Sequence, residues 1–424
     1  MKANQLKFIA MAICAATCTM FTACDDDDDD DDATTDTTTS DDDTSALADG
    51  STLVGTTTED VTLAANCTYY LSGEYIVEAG ATLYIEEGVT IIAIDDDITD
   101  YFLIKQGAQI NAQGTATNPI VMTSESTEAG AWGGIHICGY AHTNTDGGSG
   151  LSEIGDASYG GDDDDDNSGI LRYIRIEYSG FALDEEHEAN GFTFYGVGRG
   201  TTVEYCQAYK GSDDGFEFFG GSVNVKYCVS TSCSDDAFDW TEGWDGYAQF
   251  LIAYQEDSET LGYDCDCLLE CDNNGTSNDA EPVAHPILAN LTLVGNNSSD
   301  NKRGVRLRAG TQVELRNSII TGKDKSITIA TEGTSTSFDE GVSVLEGNYV
   351  STELINEEEG AYDNDAFVAA GNTVDTDGTY IALTNYYYGT ISSSISIDAD
   401  DFFTATSYAG ALTTSDDWTE GWTK

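Results

Sequence analysis

One repeat limits what this chain can fold into. Val203-Glu204-Tyr205-Cys206 leads to Ser212-Asp213-Asp214-Gly215-Phe216-Glu217-Phe218, and 22 residues later Val225-Lys226-Tyr227-Cys228 leads to Ser234-Asp235-Asp236-Ala237-Phe238-Asp239-Trp240. Leu171-Arg172-Tyr173 and Gly191-Phe192-Thr193-Phe194 echo the same pieces upstream. Each piece is a short β-forming run bounded by Gly, Asp or Asn, and helical periodicity is nearly absent. So small a unit cannot bury both faces alone, so neighbouring units must stack, as in a solenoid. Equivalent positions then lie one strand spacing apart, roughly 4.8 Å. The expected fold is an all-β, right-handed parallel β-helix over residues 51–424, with coils of about 22 residues. Phe216/Phe238 and Phe218/Trp240 should form interior aromatic ladders, and Glu204 should stack on Lys226. Cys206 and Cys228 should form a cysteine ladder or a disulfide across coils. A propeller would need repeats of about 40 residues, and no leucine consensus of a horseshoe is present.

The N-terminal half continues the pattern with Gly80-Ala81-Thr82-Leu83, Gly107-Ala108-Gln109-Ile110, Asn118-Pro119-Ile120-Val121 and Trp132-Gly133-Gly134-Ile135. With the run from Asp213 to Gly221 and the closing Trp418-Thr419-Glu420-Gly421-Trp422, these stretches resemble secreted or surface β-helix lipoproteins of Bacteroides-type bacteria. The resemblance spans about residues 60–424 and implies a fold and a location, since most of that family has no assigned activity.

The first residues read as an address. Lys2 and Lys7 precede an apolar stretch from Phe8 to Met20, too short to span a bilayer, and Phe21-Thr22-Ala23 leads into Cys24. This pattern predicts a lipoprotein signal peptide over residues 1–23 with the lipid on Cys24. Residues 25–32 are all Asp, and after Ala33 only Thr, Ser and Asp follow to Ser45. A block without apolar surface that repels itself cannot collapse, so residues 24–50 are expected to be a solvated tether. An acidic run directly after a lipidated Cys also resembles a surface-export signal, which places the body on the outside of the outer membrane. The whole chain has 16 Lys and Arg against 77 Asp and Glu, a net charge of −61. That balance argues against nucleic acid and against docking on anionic lipid through a basic patch.

The doubled acidic turn is the main candidate site. If Phe216 and Phe218 point inward, Glu217 points outward, and so does Asp239 between Phe238 and Trp240. Asp213, Asp214 and Glu217 then lie over Asp235, Asp236 and Asp239. Two carboxylates about 5 Å apart repel by roughly 3 kcal/mol at an effective dielectric of 20. Three stacked pairs therefore require full solvation or a divalent cation. Calcium, which takes six to eight oxygen ligands, is the cofactor such a set would hold.

Catalysis is less well supplied. Polygalacturonase-like hydrolases pair carboxylates on adjacent coils, but the Gly-His-Gly turn and the Arg-x-Lys cluster that accompany them are absent. No basic group for a lyase stands in the acidic turn, and Lys210 and Lys226 read as ion-pair partners. No catalytic residue is assigned. Cys265-x-Cys267-x3-Cys271 has metal-like spacing with His285 as the one nearby fourth ligand, though outside the cell disulfides suit it better. Residues 256–285 are read as one long loop, residues 162–166 as a solvated acidic loop, and residues 323–405 as last coils with insertions. Tyr408 to Lys424 is expected to cap the open end. At least one of Tyr386, Tyr387 and Tyr388 should face outward. The function expected is a non-catalytic surface module that binds a glycan, an envelope partner or a divalent cation; the alternative is a polysaccharide-active enzyme.

Overall fold

The structure, a computed structural model, describes residues 46–424 except 97, 185, 186, 299–302 and 359. The signal peptide, Cys24 and most of the acidic tether lie outside the described residues. Thirty strands join in one sheet that winds into a parallel β-helix. Its strands form parallel ladders from Ala46–Leu47 to Thr373–Val374. The face that carries the acidic turn stacks Tyr101–Ile104, Ile135–Cys138, Phe192–Tyr195, Phe216–Phe219, Phe238–Thr241, Leu269–Cys271, Arg303–Leu307 and Lys325–Ile329 in parallel register. The helix begins at Ala46–Leu47, which pairs with Val61–Leu63, so the last residues assigned to the tether belong to the first coil.

The 22-residue offset is a coil. Phe216 pairs with Phe238, Glu217 with Asp239 and Val203 with Val225. Inside, Phe192, Phe216 and Phe238 stack with centroids 4.7 and 5.0 Å apart. Phe218 keeps its register with Trp240, but its ring stacks on Trp244, 4.4 Å away, while Trp240 tilts against Trp244. The second expected ladder is thus built from a residue in the following turn. Glu204 likewise pairs with Lys226 in register, but its ion pair is with Arg172, 2.7 Å away, and the Lys226 ammonium donates to the Phe402 carbonyl. Lys210 does form an ion pair, with Glu256 at 2.6 Å. Cys206 and Cys228 are buried free thiols in the core, as are Cys265, Cys267 and Cys271 near or within it.

Two expectations about the C-terminal half are corrected. Residues 256–285 are not one loop. Leu269–Cys271 is a strand of the acidic face, with Cys271 inward and Glu270 in register with Asp239. Three residues between acidic flanks were too short to read as a strand. Nor does Tyr408 to Lys424 cap the open end. The helix Asn364–Ala369 sets Phe367 fully buried at that end of the core, and the C-terminal segment runs back along an outer corner.

That corner explains the strap. Tyr173, Tyr205, Tyr227 and Phe250 occupy the same turn in successive coils, each with φ between 52 and 59°. A left-handed backbone at a bulky residue costs of order 1 kcal/mol. Stacking of the rings, 4.4, 4.5 and 5.0 Å apart, and their cover offset it. Trp418 and Trp422 lie edge-on over the ladder. Arg175 donates to the Trp422 carbonyl at 2.8 Å, Asn290 to that of Tyr408 at 2.7 Å, and the Lys424 ammonium meets Glu177 at 2.8 Å. Trp422 is fully buried, so Trp422→Ala should destabilise the protein by about 3–5 kcal/mol. Denaturant titration reads that loss, and limited proteolysis should clip the C-terminal segment first in the variant.

Candidate acidic cleft

Strand alternation sets the site. With Phe216, Phe218, Phe238 and Trp240 buried inside, Glu217 and Asp239 stand outward in a column with Thr193 before them and Glu270 and Arg306 after. The turn preceding each strand supplies the rest. The Asn190 side-chain oxygen accepts the Asp214 N–H at 3.1 Å, Asp214 accepts that of Asp236 at 2.8 Å, and Asp236 accepts that of Cys267 at 2.5 Å. One oxygen of each Asp thus pins the next coil.

All six carboxylates expected to converge do so. Asp213, Asp214, Glu217, Asp235, Asp236 and Asp239 line one cavity of about 350 Å³, joined by Glu153, Glu188, Asp266 and Glu270, ten in all. Ligand-capable atoms of Asp213, Asp214 and Asp235 lie within 4.8 Å of one another, as do those of Asp214, Glu217 and Asp239, and those of Asp236, Asp239 and Glu270. Only part of the turn is solvated: Asp235 is exposed, but Asp213, Asp214 and Asp236 are 6, 5 and 4 % exposed. The turn is therefore not a freely hydrated one. The insertion through Glu153 and the hairpin Gly150–Leu151/Ser158–Tyr159 packs outside the same face, over Leu103, Tyr195 and Phe219. It turns an open sheet surface into a cleft.

Burial sets the electrostatics. It pushes the Asp213 carboxyl up to about 8, with the charges of Glu188, Asp235 and Glu153 adding to the shift. Asp214, Glu217, Asp236 and Asp239 are also held well above the usual carboxylate range, by burial first and by neighbouring carboxylates second: Asp236 for Asp214, Glu153 for Glu217, and Glu270 for Asp236 and Asp239. Asn190 donates to Glu217 at 2.5 Å. Asp213 Oδ2 and Asp239 Oδ1 are buried without a hydrogen-bond partner. At the far end Arg306 reaches Glu270 at 2.9 Å, and Arg308 bonds Glu270 and Asp272.

Sequence reasoning missed Glu153, Glu188, Asn190, Asp266, Glu270 and Arg306. Asn190 was findable: it precedes Gly191-Phe192-Thr193-Phe194, the recognised echo of the acidic turn. Glu270 and Arg306 had no such signal, because insertions separate them by 31 and 36 residues from their partners in register, Asp239 and Glu270. The absence of a basic residue from the turn itself therefore does not keep a guanidinium out of the site.

Residues 55–423 match the family model of the pectate-lyase-like β-helix domain. The chain belongs to that family. No curated protein and no solved structure matches it.

The remaining candidates fall elsewhere. Cys271 faces the core while Cys267 faces Asp236 and Asp266, so the three spaced cysteines do not converge. His285 stands 4.0 Å from Glu314 instead. Residues 162–166 are not simply solvated: Asp164 bonds the His142 ring at 2.7 Å and Asp166 accepts the Tyr140 N–H. Tyr386 is 68 % exposed, whereas Tyr388 packs inward and bonds Asp417. A second, larger cleft of about 740 Å³ opens beyond the C-terminal end of the strand Phe238–Thr241, with Asn144, Asp146, Glu242, Asn274 and Thr276 in its walls.

Proposed function

We propose that the protein is a binding module held on the outer-membrane surface by lipid on Cys24, and that its acidic cleft takes up divalent cations, calcium foremost. The observation that carries this reading is Asp213 Oδ2, buried and without a hydrogen-bond partner among ten carboxylates. An uncompensated buried carboxylate is costly. A hard dication with several oxygen ligands relieves that cost directly. The neighbouring polar cleft, with amide, hydroxyl and carboxylate groups in its walls, suits a hydroxyl-rich glycan. An envelope protein is the other partner the surface location allows.

Two observations favour a second reading. Arg306 in the cleft wall and a carboxyl as readily protonated as Asp213 are groups that a polysaccharide-active enzyme would use. Incubation with a panel of acidic and neutral polysaccharides, with and without calcium, separates the two. The binding reading expects retention of a glycan without chain cleavage. Release of new sugar ends, lost in Asp213→Asn, would replace it with the enzymatic one.

The anchor has its own test. Labelling with a lipid precursor should be lost in Cys24→Ala, and protease added to intact cells should degrade the wild-type body. Full labelling of the variant would remove the lipid anchor from the account.

A further inference from the structure

The proposed cation reading leaves open how many ions the cleft holds, and the geometry bears on that number. The carboxylates are not arranged as one nest. Three all-carboxylate groups adjoin one another: Asp213, Asp214 and Asp235; beside it on the same two coils Asp214, Glu217 and Asp239; and one coil further Asp236, Asp239 and Glu270. The first and second share Asp214, and the second and third share Asp239. Repetition at one coil spacing, about 4.8 Å, produces the second and third groups, whereas the first and second are joined across the turn by Asp214 itself.

We propose that the cleft binds divalent cations as a row of at least two, bridged by the shared carboxylate of Asp214, and not as one isolated ion. The inference rests on the cation function proposed above and adds its nuclearity. Two arguments carry it. The first is charge: ten carboxyl groups share the cavity with the Arg306 guanidinium, and Arg308 pairs with Glu270 at the far end. One dication balances two ionised carboxylates, fewer than the three in any one of these ligand groups. The second is the bridge itself. Asp214 gives one oxygen to the Asp236 N–H, which fixes the carboxylate plane, and it belongs to ligand groups on both sides. Two-metal sites hold their ions about 3.5–4 Å apart, a distance a shared carboxylate spans. The cavity, about 350 Å³, has room for two ions with water to complete their coordination. Asp213 Oδ2, buried and unpartnered, belongs to the first group of the row.

Manganese(II) is a suitable probe, because two bridged ions give an exchange-coupled electron paramagnetic resonance spectrum unlike that of separate ions. The test uses the full mature chain. The key variant is Asp214→Asn. It should fold, because Asn190 already fills the equivalent ladder position in the preceding coil and accepts the same kind of backbone N–H; circular dichroism checks this. The expected result is a coupled spectrum in the wild type that becomes uncoupled in Asp214→Asn. Uncoupled manganese alone in the wild type, lost in Asp213→Asn/Asp235→Asn, would overturn the row and leave a single-ion site. A spectrum unchanged by Asp214→Asn and also by Asp213→Asn/Asp239→Asn, which together touch all three groups, would place the manganese outside the cleft, on the acidic tether for instance, and would overturn both the row and the cation reading.

Discussion

Calcium at one hundred times its dissociation constant should raise the unfolding free energy of the protein by about 2.7 kcal/mol, and Asp213→Asn/Asp235→Asn should lose most of that gain. The reasoning is linkage. The ligand set exists only in the folded β-helix, where residues 22 apart in sequence are brought together. Ion binding therefore favours the native state alone. The Asp run at residues 25–32 has no apolar surface with which to fold, so calcium attracted to it would bind native and unfolded chains alike and would not contribute to the shift. Thermal or denaturant unfolding at matched ionic strength reads the effect. Magnesium, smaller and reluctant to lose water, should stabilise less.

In the absence of divalent ions, stability should fall as pH rises from about 4 towards 8. The sign follows from the direction of the shifts. Asp213 titrates at about 8 in the folded protein, and an unfolded Asp near 3.9. Between those values the native state binds more protons than the unfolded state, so its stability is fully present below the lower value and lost as pH climbs through the upper one. Asp214, Glu217, Asp236 and Asp239 shift the same way. Each such group contributes a slope of at most about 1.4 kcal/mol per pH unit. Asp213→Asn should flatten the profile and raise ion-free stability at pH 8, because an amide carries no charge to bury. Saturating calcium should flatten it in the wild type as well. A melting temperature that rises with pH in ion-free buffer would show that the cleft carboxylates are ionised and adequately compensated without any ion.

Much of the fold was legible in the sequence because a solenoid repeats its physics. Once Phe216 and Phe238 were aligned, the strand register, the inward aromatics and the outward Glu217 and Asp239 followed from alternation alone. Insertions were the limit. The strand Leu269–Cys271 is three residues long between two loops, so neither Glu270 nor its register with Arg306 could be read. The outer corner was hidden for a different reason. Tyr173, Tyr205 and Tyr227 look like strand residues, yet they take left-handed backbone angles. The C-terminal strap covers them, and a contact across more than 200 residues, such as that of Arg175 with Trp422, leaves no local trace. The depth of burial at Asp213 depended in the same way on the insertion carrying Glu153.

The measurement that bears most directly on the acidic cleft is an anomalous-scattering map from crystals grown with terbium, a calcium substitute that scatters strongly. The account predicts density inside the cleft, with Asp213 and Asp239 oxygens at calcium-like distances of about 2.3–2.6 Å, and its loss in Asp213→Asn/Asp235→Asn. A cleft without an anomalous peak, with Asp213 Oδ2 bonded to water or to a neighbouring protonated carboxyl, would contradict it.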